Sequence, residues 1–198
     1  RDSVPEHDRM ALGFHVGKLF DKVLDIKHCY LQKDPSNDIR LFVKKYAVDN
    51  GLDFFDIRQN FGYVRNMFVR TTDTGDLMVI MCFFYENRED REKMLDAIAN
   101  AFPQITSLYY IINNKLNDSI GDQECILYKG EPTIRETMEE LTFRIGPKSF
   151  YQTNSGQAYK LYSVARDFAE LTGGEIVYDL YTGTGTIAQF VSGKAAKV

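Results

Sequence analysis

The sequence of 198 residues is 44% hydrophobic and 26% charged, with a formal net charge of −4. This is the composition of a globular chain and excludes disordered, collagen-like and coiled-coil proteins. The longest apolar run, residues 77–85, spans nine residues, where a membrane helix needs about 20, and no charged-then-apolar leader is visible.

Residues 9–16 and 22–27 read as two short extended segments joined through Gly17. Ile39, Phe42, Val43, Tyr46 and Ala47 recur at helical spacing, which predicts an amphipathic helix capped by Ser36 or Asn37 and closed by Gly51. Residues 63–71 and 77–85 flank a turn containing Gly75 and predict a hairpin. The second of these strands is apolar on both faces and should be central in its sheet. Asn87 should cap a helix that presents Met94, Leu95, Ile98 and Phe102 on one face and stops at Pro103. Residues 107–113 predict a third strand, and 124–128 and 141–145 two shorter strands flanking a polar stretch. Mixed strands and helices without strict alternation predict an α+β domain with an antiparallel sheet over residues 1–146.

The style changes at Gly146-Pro147. Asn154 or Ser155 should cap a helix carrying Ala158, Leu161, Tyr162, Ala165 and Phe168, ended by Gly173-Gly174. Residues 175–180 predict a strand, followed by Gly183-Thr184-Gly185 and a helix from Thr186. Helix, strand, glycine turn and helix open a Rossmann-like α/β domain, and Lys197-Val198 has the character of a second strand beginning. One parallel strand makes no sheet. Residues 147–198 are therefore expected to be the N-terminal piece of a larger domain and the chain a fragment. Strand 175–180 should then dock on the rest of the chain, pair with another copy or be poorly ordered.

The stretch from Gly183 to Ala188 satisfies a loose G-x-G-x-x-A fingerprint. Its glycines allow a tight turn and close approach to a ligand. Asp179, four residues before the first glycine, would repel a pyrophosphate but tolerates the ammonium and sulfonium of S-adenosylmethionine. The spacing thus favours that cofactor over NAD, beside the plain alternative of a structural turn without ligand. Gln152, in Lys148-Ser149-Phe150-Tyr151-Gln152-Thr153-Asn154, can offer donor and acceptor to a zwitterionic amino-acid moiety; otherwise it is a solvated residue of a capping loop.

Three cysteines, Cys29, Cys82 and Cys125, lie far apart with no C-x-x-C spacing. They make no disulfide framework and point to a reducing, cytoplasmic compartment. Cys82 reads as a small core residue. The acidic balance argues against a freestanding nucleic-acid binder, since phosphate affinity comes from Lys and Arg. Arg9, His15, Lys18, Lys22, Arg65 and Arg70 are the candidates for phosphate contact, each alternatively a solvated surface charge. The mixed charges of residues 87–100 read as a solvated helix face.

Taken together, the Phe150–Asn154 stretch, the helix after it, and Val177-Tyr178-Asp179-Leu180-Tyr181-Thr182-Gly183-Thr184-Gly185-Thr186 resemble the RNA (uracil-5-)-methyltransferase family. Leu12-Gly13-Phe14-His15, residues 23–29 and Gly62-Tyr63-Val64-Arg65-Asn66 extend the likeness upstream, less specifically. The resemblance implies methyl transfer from S-adenosylmethionine to carbon 5 of a uridine, in 23S ribosomal RNA ahead of transfer RNA. It places Gln152, Tyr181, Asp179, Gly183, Gly185 and Thr186 at the cofactor; Thr186 stands where many members have Asn. Some members hold a [4Fe–4S] cluster with a cysteine matching Cys29 as one ligand. The three upstream cysteines of that site have no counterpart in this sequence; a small half-buried residue is the other reading of Cys29. The family's chemistry adds a cysteine thiolate to carbon 6 of an extruded uracil. None of the three cysteines matches that nucleophile, so catalytic residues are expected to be none and the chain alone inactive. A dinucleotide-using enzyme fragment and a non-catalytic RNA-binding module remain the competing readings.

Overall fold

The computed structural model describes residues 10–198; Arg9 and the start of the first predicted extended segment lie outside the described residues. Strands β1 (Phe14–Val16) and β2 (Leu19–Leu24) form an antiparallel hairpin, turning at Gly17 and Lys18, the latter in a left-handed conformation with φ 67°. Helix α1 (Ser36–Asp49) follows and ends against Gly51, φ 65°. Its predicted cap is corrected. The flanking residue is Pro35 and no side chain caps the helix. Asn37 instead turns back on the preceding loop, accepting from the Cys29 N–H (2.8 Å) and donating to the Cys29 carbonyl (3.2 Å). Buried Arg40 donates to the carbonyls of Leu12, Ile26 and Lys27, which fastens the hairpin's two ends to α1.

The central sheet holds β3 (Val64–Thr71), β4 (Leu77–Phe83), β5 (Ser107–Ile112) and β6 (Ile126–Gly130), in that order. All seven residues of β4 are buried, as an apolar run with no polar face requires. Helix α2 (Arg88–Ala101) begins at Asn87, whose side chain accepts from the Asp90 N–H. Helices α1 and α2 cover one face of the sheet, where Ile39, Val43, Met94, Leu95 and Ile98 meet Val79, Met81 and Phe83. Each such side chain contributes roughly 1.5–3 kcal/mol of burial.

The sheet is mixed, which corrects the antiparallel expectation. β4 and β5 run parallel, from Met78 opposite Ser107 to Phe83 opposite Ile112, because α2 carries the chain back across the sheet before β5 begins. The other two pairings are antiparallel.

On the opposite face, Met78, Ile80, Cys82, Tyr109 and Ile111 pack against Ile134 and Ile145. These come from an antiparallel hairpin of β7 (Ile134–Met138) and β8 (Leu141–Ile145). Strand β7 falls in the stretch read as polar. Its alternation is regular, but Glu136 occupies an inward position. The hairpin's other residues, Met138 and Phe143, share a further core with Ala158 and Tyr162 of α3 (Ser155–Phe168) and with Phe190 and Val191 of α4 (Thr186–Ser192). It therefore joins the sheet to the C-terminal segment. Asn154 caps α3, accepting from the Gln157 N–H at 3.0 Å.

Residues 175–180 form no full strand. They make one parallel bridge, Ile176 to Lys197, with the Val177 N–H donating to the Lys197 carbonyl and the Ala196 N–H to that of Glu175, both 2.9 Å. The segment thus docks on the chain's own last residues and leaves Ile176, Tyr178 and Leu180 exposed. Among the described residues no helix is long and apolar enough to cross a membrane.

Candidate cofactor site at the glycine turn

Between the bridge and α4 the backbone takes three left-handed conformations in five residues: Tyr181 (φ 61°), Gly183 (φ 56°) and Gly185 (φ 73°). Glycine adopts this region freely and other residues do so at a cost. At Gly185 a side chain would also meet Gln189 Nε2 at 3.3 Å. Asp179 organises the turn from within. Its Oδ2 accepts from the Thr182 hydroxyl (3.0 Å) and from the N–H of Ala188 (3.1 Å), satisfying a donor in the first turn of α4 that the helix itself cannot.

The second predicted stretch lies against the first. The Thr184 hydroxyl donates to the Phe150 carbonyl at 3.1 Å and sits 2.9 Å from the Thr186 hydroxyl. Glycine turn and Gln152 segment thus come together, 34 residues apart in sequence at that bond. Gln152 is exposed beside the bond, Tyr181 is fully exposed at the crest of the turn, and Thr186 is buried. The ring of Tyr151 leans on Phe143, centroids 5.7 Å apart. Its hydroxyl is buried without a partner, and burial pushes its phenol up to about 12.

The segment is anchored from below by groups that sequence reading did not assign to it. Arg70 of β3 donates to the carbonyls of Gly146 (3.2 Å) and Ser149 (2.7 Å). The Ser155 hydroxyl donates to Glu136 at 2.8 Å. Arg70 is 76 residues from Gly146 and Glu136 is 19 from Ser155 in sequence, so no local motif could have exposed them.

Two candidate phosphate contacts are corrected. The Arg65 side chain is fully buried and donates to the carbonyls of Asn113, Lys115 and Asn117 and to the Asp118 carboxylate. Arg70 is spent on the carbonyls just named. His15, Lys18 and Lys22 are exposed on the β1–β2 hairpin, Lys22 lying 3.6 Å from Asp21.

The cysteines divide. Cys82 is fully buried in β4, and burial pushes its thiol up to about 12; Cys125 packs against the same cluster and is shifted the same way by burial. Both are poor nucleophiles as they stand. Cys29 is half-buried on the loop before α1, its backbone held by Asn37. Among the described residues no three His, Cys, Asp or Glu side chains converge on a metal-sized site. A [4Fe–4S] cluster needs several thiolates, so these residues do not fit one.

No family model matches the chain. It is 56% identical over 192 residues to an uncharacterized RNA methyltransferase of Porphyromonas gingivalis, covering 96% of this chain and 41% of that protein. A second, from Bacteroides thetaiotaomicron, is 53% identical over 197 residues, covering 98% and 43%. A solved structure, Pyrococcus abyssi tRNA (uracil-54, C5)-methyltransferase in complex with S-adenosyl-L-homocysteine, superposes with a TM-score of 0.70 at 26% identity, covering 87% of this chain and 41% of that one. The chain thus spans about two-fifths of the length of its relatives.

Proposed function

This chain belongs to the RNA methyltransferase family of those relatives, and we propose that it carries part of the S-adenosylmethionine site of an enzyme that methylates carbon 5 of uridine in RNA. In this reading residues 1–146 form a central α+β domain and residues 147–198 open the methyltransferase domain. The observation that carries it is the bond between Thr184 and Phe150. It joins the segment that bears Gln152 to the glycine turn that bears Tyr181, which supports a reading in which this exposed amide and aromatic ring hold the methionine and adenosine parts of the cofactor. When bound, the cofactor supplies the electrophilic methyl group. Gly183 and Gly185 give the backbone room for it, Thr186 braces the turn through Thr184, and Asp179 fixes the turn's shape.

Asp179 also speaks against a dinucleotide. A phosphate at the start of a helix takes the free backbone N–H groups. Here the Ala188 N–H is already bonded to a carboxylate, which would repel it. The nucleophile and base of the methylation lie outside these residues, so the chain alone should transfer no methyl group. Ribosomal RNA, as 23S rRNA, is the substrate favoured by the resemblance. The structural neighbour's tRNA specificity supports transfer RNA as the second reading. Such a protein works in the cytoplasm, with its RNA.

The test is a calorimetric titration of S-adenosylhomocysteine into this chain and into the protein at the full length of its relatives, followed by methylation of rRNA and tRNA transcripts by the latter. Binding with methylation at uridine carbon 5 supports the proposal. A folded protein that ignores S-adenosylhomocysteine but binds a dinucleotide overturns it.

A further inference from the structure

Gln152 and Tyr181 are exposed, so their placement depends on what holds the backbone beneath them. Glu136 is 1% exposed in the middle of β7 and has no part in the chemistry above. Its Oε2 accepts from the backbone N–H of Asp73 (3.0 Å) and from the Ser155 hydroxyl (2.8 Å), and its Oε1 from the Thr137 N–H (3.0 Å). Asp73 lies in the turn between β3 and β4; Ser155 opens α3, three residues after Gln152. One buried carboxylate therefore ties the central sheet's hairpin to the segment that bears Gln152.

Burying a carboxylate is costly, and an apolar side chain of similar size commonly serves stability as well. A charge at an inward position of a short hairpin is better explained by the geometry it specifies. The stretch from Gly146 to Ser155 is gripped at its other end by Arg70 and in the middle by Thr184. Side chains from β3, β7 and the glycine turn thus hold one segment.

We propose that Glu136 is a positioning residue of the cofactor site. By holding Ser155 it sets where Gln152 stands relative to the glycine turn, and by holding Asp73 it couples that placement to the β3–β4 hairpin. The inference rests on the reading of residues 147–198 as a cofactor site.

Ser155→Ala removes the hydroxyl and leaves the Asn154 cap in place; Ser155→Thr restores it. Glu136→Gln sets an NH2 group against at least one backbone N–H, because the Asp73 and Thr137 donors meet different oxygens. Two readouts are needed in the protein at the full length of its relatives: hydrogen exchange of residues 149–157 without ligand, and calorimetric affinity for S-adenosylhomocysteine. Ser155→Ala should speed exchange of the segment and weaken affinity about tenfold, with the thermal midpoint lowered by no more than about 3 °C. Ser155→Thr should restore both, and Glu136→Gln should lose at least as much as Ser155→Ala. Should Glu136→Gln fail to fold, the Ser155 pair decides alone. Faster exchange with unchanged affinity, or no recovery in Ser155→Thr, overturns the proposal. If the unmodified protein ignores S-adenosylhomocysteine while the segment's exchange still responds, the cofactor reading fails and the positioning role falls with it.

Discussion

Replacing Arg65 with Met separates a structural cation from an RNA-binding one. The guanidinium donates to the Asn113 carbonyl at 2.8 Å, to Lys115 at 2.6 Å and to Asn117 at 2.9 Å, and to Asp118 at 3.1 Å. It lies 4.3 Å over the ring of Phe55. Methionine fills most of the same volume, so the loss is chiefly polar. Asn113 is fully buried, and stranding its carbonyl costs about 1–3 kcal/mol. The cation–π contact adds about 1 kcal/mol. The Asp118 side chain is 45% exposed, so the ion pair itself contributes less than about 1 kcal/mol. Together these give a loss of about 2–5 kcal/mol, a large part of the roughly 5–15 kcal/mol that stabilises a domain. Urea unfolding followed by tyrosine fluorescence would read it as a lower midpoint at unchanged slope. A loss below about 1 kcal/mol, with RNA affinity falling instead, would refute the reasoning and return Arg65 to the RNA surface.

Tyr151→Phe removes a buried hydroxyl that has no partner and should raise stability by about 1 kcal/mol; a lower urea midpoint would contradict this. Gly185→Ala forces a side chain into φ 73° with Gln189 Nε2 at 3.3 Å, and should cost about 1–2 kcal/mol along with S-adenosylhomocysteine affinity. Equal affinity in that variant would argue against cofactor approach at the turn. The Glu175 carboxylate accepts from the Thr172 hydroxyl first, and from the Thr172 and Gly173 N–H groups, which hold it at about 2 against an ordinary 4.5. Because the folded value is depressed, the turn's stabilisation is complete above the ordinary value and lost as pH falls toward the folded one. An NMR titration of this carboxyl with a midpoint near 4.5 would contradict the geometry.

Elements whose cause is local were legible in the sequence. β4 declared its central place by being apolar on both faces, Asn87 and Asn154 cap where their residue type and position require, and the glycines of the 183–185 turn take the conformations that glycine permits. Elements fixed by distant partners were not. β7 was hidden because Glu136 sits where an apolar residue is expected, and its partners Asp73 and Ser155 come from elsewhere in the chain. Asn37 resembles a helix cap, yet the Cys29 backbone claims its side chain. Arg65 and Arg70 carry the same residue type whether they meet phosphate or carbonyls, and only tertiary structure separates the two. The parallel pairing of β4 and β5 could have been derived, since a helix of 14 residues between two strands returns the chain to the edge it left. At the candidate site the sequence proposes Gln152, Tyr181 and the glycines, and the fold brings together the two stretches that bear them. Their convergence through Thr184 and Phe150, and the supports beneath, came from the fold.

The measurement that bears most directly on the account is calorimetric titration of S-adenosylhomocysteine into the protein at the full length of its relatives, with Gly185→Ala in parallel. Saturable one-to-one binding near micromolar is expected, weakening by at least about tenfold in the variant. No binding to a folded protein, or equal binding by both, would contradict the assignment of the glycine turn as the cofactor site.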